Sequence, residues 1–463
     1  MKNVLLVGSG RAALLFAALA VRSGGSHAAE VPTAEQMWAI IQQQQKTIEE
    51  LKAKLETTEG TVQATRKEVA ETGKRVEETD QKVEATVEKV EEAAAKPPAA
   101  SWVERTHVGG YGELHYNNWE NDEAKTEKDE VDFHRFVLYL AHDFNDWIHF
   151  YSEIEIEHAL VGDDDSGAFN SGQNNKPGEV ELEQAYLELD IHENQSLRAG
   201  LQLLPVGILN ETHEPNTFYG VERNLVETNI IPSTWWEAGL GVHGELLPSA
   251  FPGLSYNLLL HSGLQVATTG ANAFRVRQGR QKVAEAPAAD PAFTGQLKYT
   301  GIPGVEVGFT GQYQSDVTSS TLADDNISAT LFEGHLIATK GPFGLRALAA
   351  RWDLDDGPAA TGPATGPSDG RDVQWGWYVE PSFRFDAPAL LPGEAGVFAR
   401  YSEHDNNAGD AASVDAQISR WDVGLNYWPH PDVVFKFDYQ NEESDIASGN
   451  NDGFNLGLGY AFF

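Results

Sequence analysis

The sequence predicts an all-β transmembrane barrel of about 16 antiparallel strands, preceded by an N-terminal α-helical coiled coil. Three observations support this fold class. The C-terminal residues alternate between apolar and small or polar side chains, residues 34–93 repeat apolar positions every seven residues, and from residue 102 onward short connections alternate with long polar ones.

The N-terminus is typical of a secretory signal peptide, which we assign to residues 1–28. Lys2 and Arg11 flank the start of an apolar run over residues 12–21, and a small-residue cleavage site lies near Ala28. No later stretch approaches the ~20 uninterrupted apolar residues of a spanning helix. If the chain crosses a membrane, we therefore expect β-strands to form the crossing.

Composition excludes several classes of site. The 463 residues include 0 cysteines, which excludes disulfides, thiolate metal sites and a catalytic cysteine. The net charge of −37 disfavours nucleic-acid binding, because phosphate backbones require basic patches. Acidic runs such as Asp163 to Asp165 are typical of solvated loops, with divalent-cation binding by outer loops as the open alternative. We assign no cofactor and no metal site.

A heptad repeat occupies residues 34–93. A lone helix would drift out of a strict seven-residue register, so the repeat requires partner helices. Many a and d positions are β-branched, and five of the d positions are threonines (Thr58, Thr65, Thr72, Thr79 and Thr86), a pattern that favours trimers over dimers. The a positions that would form the trimer coil are Ile41, Ile48, Leu55, Val62, Val69, Val76, Val83 and Val90.

The repeat predicts a periplasmic trimeric coiled coil over residues 29–96, joined to the barrel by a Pro/Ala linker over residues 97–106. At ~1.5 Å per residue, the rod is on the order of 90 Å long. Two roles stay open for it, contact with the cell wall and simple clamping of the trimer. The threonine hydroxyls either hold water or anions at the axis or belong to a weakly specifying, partly hydrated coil.

The barrel domain is assigned to residues 107–463. Short turns and long polar loops alternate, as in outer-membrane barrels, and an even strand number puts both ends in the periplasm. In the last strand, residues 454–462, apolar side chains would meet lipid while Asn455, Gly457 and Gly459 would face a lumen. Expected strand starts lie near residues 107, 129, 147, 178, 196, 236, 252, 292, 304, 327, 343, 372, 395, 414, 432 and 451.

Three segments resemble the phosphate-selective porin O and P family: HVGGYGELHYNN (107–118), DFHRFVLYLAHDFND (132–146) and AGLQLLPVGILNETHEPNTFYGVERN (199–224). In that family a strand, Pro-x-Gly, an acidic residue, then an aromatic and Glu-Arg precede a loop that folds into the barrel. The matching residues here are Pro205, Gly207, Glu211, Phe218, Glu222 and Arg223. The resemblance covers the chain from about residue 107 onward and implies a trimer of 16-stranded barrels that conduct small solutes.

The stretch from Ile208 to Ser233 is the candidate constriction loop, because it has few strand features and is too long for a simple connection. Its candidate site residues are Glu211, Glu222 and Arg223. A structural ion pair between Glu222 and Arg223 is the open alternative to a role in the pore.

Strand parity predicts basic lumen-lining residues that would form an anion ladder: Arg135, Arg198, Lys298, Arg384, Arg400, Arg420 and Lys436. Glu153, Glu155 and Glu157 share one strand face and would favour cations instead. The basic cluster at residues 275–282 falls on a loop, where it either attracts anions or binds lipopolysaccharide phosphates. Ion preference therefore stays open, and the dense basic lining that phosphate selectivity implies is missing from the sequence.

The sequence thus predicts an outer-membrane porin, a water-filled trimeric channel for passive diffusion of ions and small hydrophilic solutes, with anions such as phosphate as candidates. The alternative is a structural envelope protein whose coil tethers the outer membrane to peptidoglycan. Neither a Gly-x-Ser-x-Gly elbow nor a His-Glu-x-x-His pair occurs, so no enzyme is expected. Expected partners are outer-membrane lipid, lipopolysaccharide and further copies of the chain.

Overall fold

The computed structural model describes residues 33–94, 102–121, 126–161, 177–318, 326–355, 371–388, 390–409, 416–444 and 450–462. The predicted signal peptide and the terminal Phe463 lie outside these residues. The chain divides into two compact units, Met1–Ala99 and Ala100–Phe463. Within the described residues, no helix has both the length and the apolar character needed to cross a membrane.

The first unit contains one long helix, α1 (Ala34–Ala94), which covers the heptad repeat. The a positions from Ile41 to Val83 are all exposed in the single chain, by 44% at Ile41 and 64% at Val69. The hydroxyls of Thr58, Thr65 and Thr79 donate to the carbonyl oxygen four residues earlier. These hydroxyls are therefore satisfied within the helix, while association into a coiled coil remains a prediction.

The second unit is a closed barrel of 16 antiparallel strands in which each strand pairs with its sequence neighbours, as predicted. Strand β1 closes the barrel against β16, from the pair Gly110 and Phe462 to the pair Glu120 and Asp452. The largest difference from the expected strand starts is four residues, at β14. The strands are β1 (Thr106–Asn121), β2 (Thr126–Asn145), β3 (Ile148–Glu157), β4 (Val180–His192), β5 (Gln195–Leu203), β6 (Trp236–Glu245), β7 (Leu254–His261), β8 (Ala292–Ile302), β9 (Val305–Gln314), β10 (Ala329–Lys340), β11 (Phe343–Leu354), β12 (Val373–Asp386), β13 (Glu394–Asp405), β14 (Ile418–His430), β15 (Val433–Ser444) and β16 (Asp452–Phe462).

The two faces of the wall differ in polarity, as the alternation in the sequence predicts. On β15, Phe435 and Phe437 are exposed on the outside, while Lys436 and Asp438 between them are buried on the inside. Successive strand residues point to opposite faces, so the wall has an apolar outer band and a polar inner face.

Two of the register shifts in the described strands are β-bulges that place an additional side chain on the inner face. The register between β3 and β4 shifts after the pair Glu153 and Gln184, and Glu183 beside it faces inward as well. The register between β1 and β2 shifts at Glu113, and there the consecutive residues His134 and Arg135 both reach the interior. A bulge adds one residue to a strand and re-aims its side chain, so each bulge adds an inward polar group.

Much of the interior is occupied by two connections, which we call the inner loop (residues 204–235) and the second inner segment (residues 262–291). Both contribute buried apolar side chains to one core with the wall, among them Leu204, Trp235 and Leu264. The inward glycines of β16 were expected to leave open space. The structure differs, because Gly457 lies beneath Val221 of the inner loop and Gly459 lies beneath its Pro215.

Candidate pore constriction

The inner loop reaches from its own strands, β5 and β6, to the wall formed by β13 and β14. Nη1 of Arg400 donates to the carbonyl oxygen of Tyr219 at 3.3 Å, and Nδ2 of Asn426 donates to that of Phe218 at 3.0 Å. These contacts hold the loop inside the barrel, as the sequence predicted for the stretch from Ile208 to Ser233.

A short helix, α2 (Leu225–Asn229), fixes the local path of the inner loop. The side chain of Asn224 caps this helix by accepting the Val226 amide. Fully buried Glu227 accepts the Leu209 amide at 2.6 Å and the Tyr378 hydroxyl at 2.7 Å. One carboxylate therefore fastens the start of the loop to α2 and to strand β12.

The second inner segment carries the basic cluster of residues 275–282 into the barrel. Its path is held by Gln374 of β12, whose Nε2 donates to the Phe274 carbonyl oxygen at 2.8 Å. Arg277 and Arg280 turn toward a cavity in the interior. Of the two predicted alternatives, attraction of anions and binding of lipopolysaccharide phosphates, this placement favours the first for Arg277 and Arg280, because these two side chains line the interior cavity.

The cavity lies between the inner loop, the second inner segment and strands β1 to β4, with a volume of about 250 Å³. Its charged lining has an acidic and a basic part, and a few apolar side chains complete the wall. The acidic members are Glu113, Glu155, Glu157, Glu181, Glu183 and Glu222; the basic members are Arg135, Arg223, Arg277, Arg280 and Lys282; His115 and His134 also line it.

The acidic part is tied together by ion pairs. Arg135 contacts Glu113 at 2.6 Å (Nε to Oε1) and Glu155 at 3.4 Å (Nη1 to Oε2). Nδ1 of His115 lies 3.3 Å from Oε1 of Glu222. Burial raises the pKa of Glu222, but the hydrogen bond and the charge of His115 outweigh burial and hold this pKa well below its usual range.

The predicted alternative of an ion pair between Glu222 and Arg223 does not match the geometry. Glu222 turns to His115 and to Asn117, whose Nδ2 donates at 3.0 Å, whereas Nη1 of Arg223 donates to the Thr234 hydroxyl at 2.8 Å. Nε and Nη2 of Arg223 are buried without a hydrogen-bond partner among the described residues. Glu222 therefore belongs to the acidic part of the cavity, and Arg223 belongs to its basic part.

The basic part concentrates like charges. Burial lowers the pKa of Arg277 to about 9, and repulsion by Arg280 and Arg223 lowers it further in the same direction. Burial also lowers the pKa of Arg280. Since an arginine with a pKa of about 9 is still charged at neutral pH, three adjacent guanidinium groups present positive charge to the cavity.

Six of the seven basic residues predicted along the strands contact carboxylates. Arg400 contacts Glu380 and Asp422, and Arg420 contacts Asp422 and Glu442. The same holds for Arg198 with Glu188, Lys298 with Glu211 and Arg384 with Glu394. Lys436 is the exception: among the described residues its Nζ has no hydrogen-bond partner, and it lies 3.5 Å from the centre of the Phe218 ring. Along these described strands, the row of predicted cations is therefore compensated at every position except Lys436, by carboxylates of neighbouring strands and, at Lys298, by Glu211 of the inner loop.

Four further predicted residues differ in where they lie: two line the cavity and two do not. Glu155 and Glu157 line the cavity, whereas Glu153 is buried beside His213 and Gln184. Glu211 lies outside the cavity lining, 3.7 Å from Lys298.

Several cavity residues were not selected from the sequence. Arg277 and Arg280 belong to the recognised basic cluster, but nothing in a loop sequence indicates that it turns inward. Glu113 and Glu181 could have been found by strand parity. His134 and Glu183 depend on the two bulges, which have no clear sequence signal.

Comparison with known proteins identifies the family. The phosphate-selective porin O and P family matches residues 108–462. An uncharacterized protein of Aquifex aeolicus (strain VF5) is 31% identical over 375 residues, which cover 76% of this chain and 80% of that protein.

Solved structures agree on the fold. Salmonella typhi OmpF in complex with daunomycin is similar with a TM-score of 0.53 and 14% identity, over 77% of this chain and 97% of that one. An anion-selective porin from Comamonas acidovorans is similar with a TM-score of 0.50 and 10% identity, over 77% and 99% of the two chains. Family and closed barrel are those of non-enzymatic outer-membrane channels, and the chain belongs to the phosphate-selective porin O and P family.

Proposed function

We propose that this porin conducts ions and small hydrophilic solutes by passive diffusion, and that the cavity between the inner loop and the second inner segment is its constriction. Small anions, phosphate among them, would pass along the arginines of the basic part, while the carboxylates of the acidic part would guide cations. A volume of about 250 Å³ has room for several water molecules and a small ion.

The observation that carries this proposal is the convergence of Arg223, Arg277 and Arg280 on one cavity. Arg223 and Arg277 each have buried guanidinium nitrogens without a hydrogen-bond partner among the described residues. Unpaired guanidinium groups at a narrow, partly desolvated point attract anions strongly, because the local dielectric constant is lower than that of water.

The double variant Arg277→Gln/Arg280→Gln tests the role of these arginines. Single-channel current and reversal potential are measured in a planar bilayer across a salt gradient. We expect the anion-to-cation permeability ratio to fall about threefold, equivalent to roughly 0.6 kcal/mol, because two positive charges are removed while the side-chain length is nearly kept.

The matched control is Arg351→Gln, because Arg351 is exposed on β11 and pairs with Asp353 away from the cavity. Its permeability ratio is expected to equal that of the wild type. An equal ratio in the double variant would contradict the proposed role of the arginines while leaving the channel itself intact.

For the whole chain we propose a signal peptide over residues 1–28, a periplasmic trimeric coiled coil over 29–96, a linker over 97–106 and the barrel over 107–463. The exposed a positions of α1 support association with further copies, because an apolar stripe in water is stabilised by burial. Outer-membrane lipid and lipopolysaccharide would surround the apolar outer band.

A second candidate function is a structural tether in which the coil grips peptidoglycan and the barrel only anchors it. Two observations favour this candidate. The inner loop and the second inner segment fill much of the barrel interior, and α1 is 61 residues long. The bilayer measurement separates the two, since a tether with a plugged barrel gives no conductance.

A further inference from the structure

Three side chains converge beside the constriction, and one of them, Glu183, also lines the cavity. His213 lies on the inner loop, Glu153 on β3 and Glu183 at the bulge of β4. All three are buried, with 3%, 1% and 1% of their surface exposed. They are brought together from three separate parts of the chain.

The facing atoms of this cluster have no hydrogen-bond partners among the described residues. These atoms are Nε2 of His213, Oε1 of Glu153 and Oε2 of Glu183. Nε2 lies 3.4 Å from the first oxygen and 3.5 Å from the second, and all three atoms lie within 4.8 Å of one another. Both distances exceed the usual range of an N–H···O hydrogen bond, about 2.7–3.2 Å. Buried carboxylates left in this state are costly unless something binds them.

The spacing suits a shared cation. Ligand atoms about 2.0–2.2 Å from a tetrahedral metal ion lie roughly 3.3–3.6 Å from each other. One nitrogen and two carboxylate oxygens form a ligand set that suits divalent transition metals such as zinc or manganese.

The surrounding groups orient the three side chains toward the centre. Nδ1 of His213 lies 3.2 Å from the carbonyl oxygen of Asn210, so a proton on Nδ1 leaves the lone pair of Nε2 directed at the carboxylates. Nε2 of Gln184 donates to Oε2 of Glu153 at 2.5 Å, which leaves Oε1 available. Outer hydrogen bonds of this kind hold metal ligands in their binding orientation.

A second group, Asp132, His134 and His158, lacks this signature. Both histidines already contact Asp132, at 3.1 Å and 2.8 Å, and all three side chains are partly exposed. The two oxygens of Asp132 and Nδ1 of each histidine are therefore already paired without a cation.

We propose that His213, Glu153 and Glu183 form a binding site for one divalent transition-metal ion, which fastens the inner loop to strands β3 and β4. Zinc is the probe of choice because it accepts this ligand set without a strong geometric preference. A water molecule would complete the coordination in the remaining open position.

The test uses the full-length protein in detergent, stripped with a chelator and then given zinc alone. Bound metal is counted by mass spectrometry after desalting, and cobalt substitution is followed by visible absorption. We expect one ion per wild-type chain and a tetrahedral cobalt spectrum. We expect at least tenfold weaker zinc binding in His213→Asn and in the double variant Glu153→Gln/Glu183→Gln.

The matched control is His261→Asn, because His261 is equally buried but contacts Thr294 at 2.9 Å away from the cluster. It should bind zinc as the wild type does. If His213→Asn misfolds, the isosteric double variant Glu153→Gln/Glu183→Gln still tests the site. Heat-modifiable migration on gels verifies that each barrel is folded.

Two results would overturn the proposal. One is a folded wild-type protein that retains no zinc after desalting, which would leave His213 as an imidazolium between two carboxylates. The other is zinc binding that survives in both cluster variants but disappears in His134→Asn. Both results leave the conductance measurement unaffected, so the channel and the metal site succeed or fail separately.

Discussion

At the scale of single residues, Glu227 shows how one buried carboxyl can control the inner loop. Burial raises its pKa to about 7, although the amide of Leu209 and the hydroxyl of Tyr378 oppose the shift. The carboxyl is therefore harder to ionise in the folded barrel than in the unfolded chain, whose pKa is near 4.5.

This shift predicts a loss of stability as pH rises from about 4.5 to about 7, because the unfolded chain releases the proton first. Glu227→Gln cannot titrate, so this contribution to its free energy of unfolding does not change with pH. The difference in free energy of unfolding, variant minus wild type, should therefore increase between pH 4.5 and pH 7, by at most about 3 kcal/mol. Urea unfolding in detergent at pH 4.5, 6 and 8 measures the difference. Glu285→Gln, at an exposed position of the second inner segment, is the control. A constant difference between Glu227→Gln and wild type across the three pH values would contradict the assignment.

At the scale of elements, the inner loop is positioned by the shape of the wall as much as by its hydrogen bonds. Glycines on the inner face of β16 allow the loop to lie against the strand without a gap. A Cβ at Gly459 would lie 2.7 Å from Cγ of Pro215, closer than real Cβ contacts allow. The loop would then have to shift.

Gly459→Ala should therefore destabilise the barrel by about 1–3 kcal/mol, as overpacking does in other cores. Faster hydrogen exchange in the inner loop would accompany this loss. Gly311→Ala on β9 is the matched control, because the nearest heavy atom to its added Cβ is 3.9 Å away. Equal stability and equal exchange in the two variants would show that the loop does not depend on this contact.

At the scale of the whole molecule, the exposed stripe of α1 predicts assembly. Val62→Glu/Val69→Glu puts charge at two a positions and should abolish trimers of the full-length chain, because buried unpaired charges are costly in a coil. Ala64→Glu/Ala70→Glu adds the same charges at exposed positions off the stripe and should leave trimers intact. Native mass spectrometry in detergent counts the chains. Trimers in both variants would show that the barrel alone holds the assembly.

The sequence predicted much of the barrel and little of its interior chemistry. Strand number, strand starts and the polarity of the two faces follow from a period of two, which neighbouring residues set among themselves. The length of the inner loop and the Pro205 to Arg223 pattern indicated that this connection folds into the barrel, whereas its role as a constriction stays a prediction. Cavity residues on the second inner segment were missed, because the sequence of a loop contains no periodic pattern that predicts the path of its chain.

By itself, the sequence determined the 16-stranded wall and the heptad stripe, since both follow from local periodic patterns, and it indicated the family through the resemblance of three segments, 107–118, 132–146 and 199–224. Only the tertiary structure decided which charges meet. The strand arginines are compensated by carboxylates that the barrel register supplies, so the basic side of the cavity comes from Arg223, Arg277 and Arg280 instead. Glu183 joins Glu153 and His213 because a bulge turns it inward and the inner loop brings the histidine across. Such contacts depend on strand register and loop path, which are properties of the closed barrel and not of any short stretch of sequence.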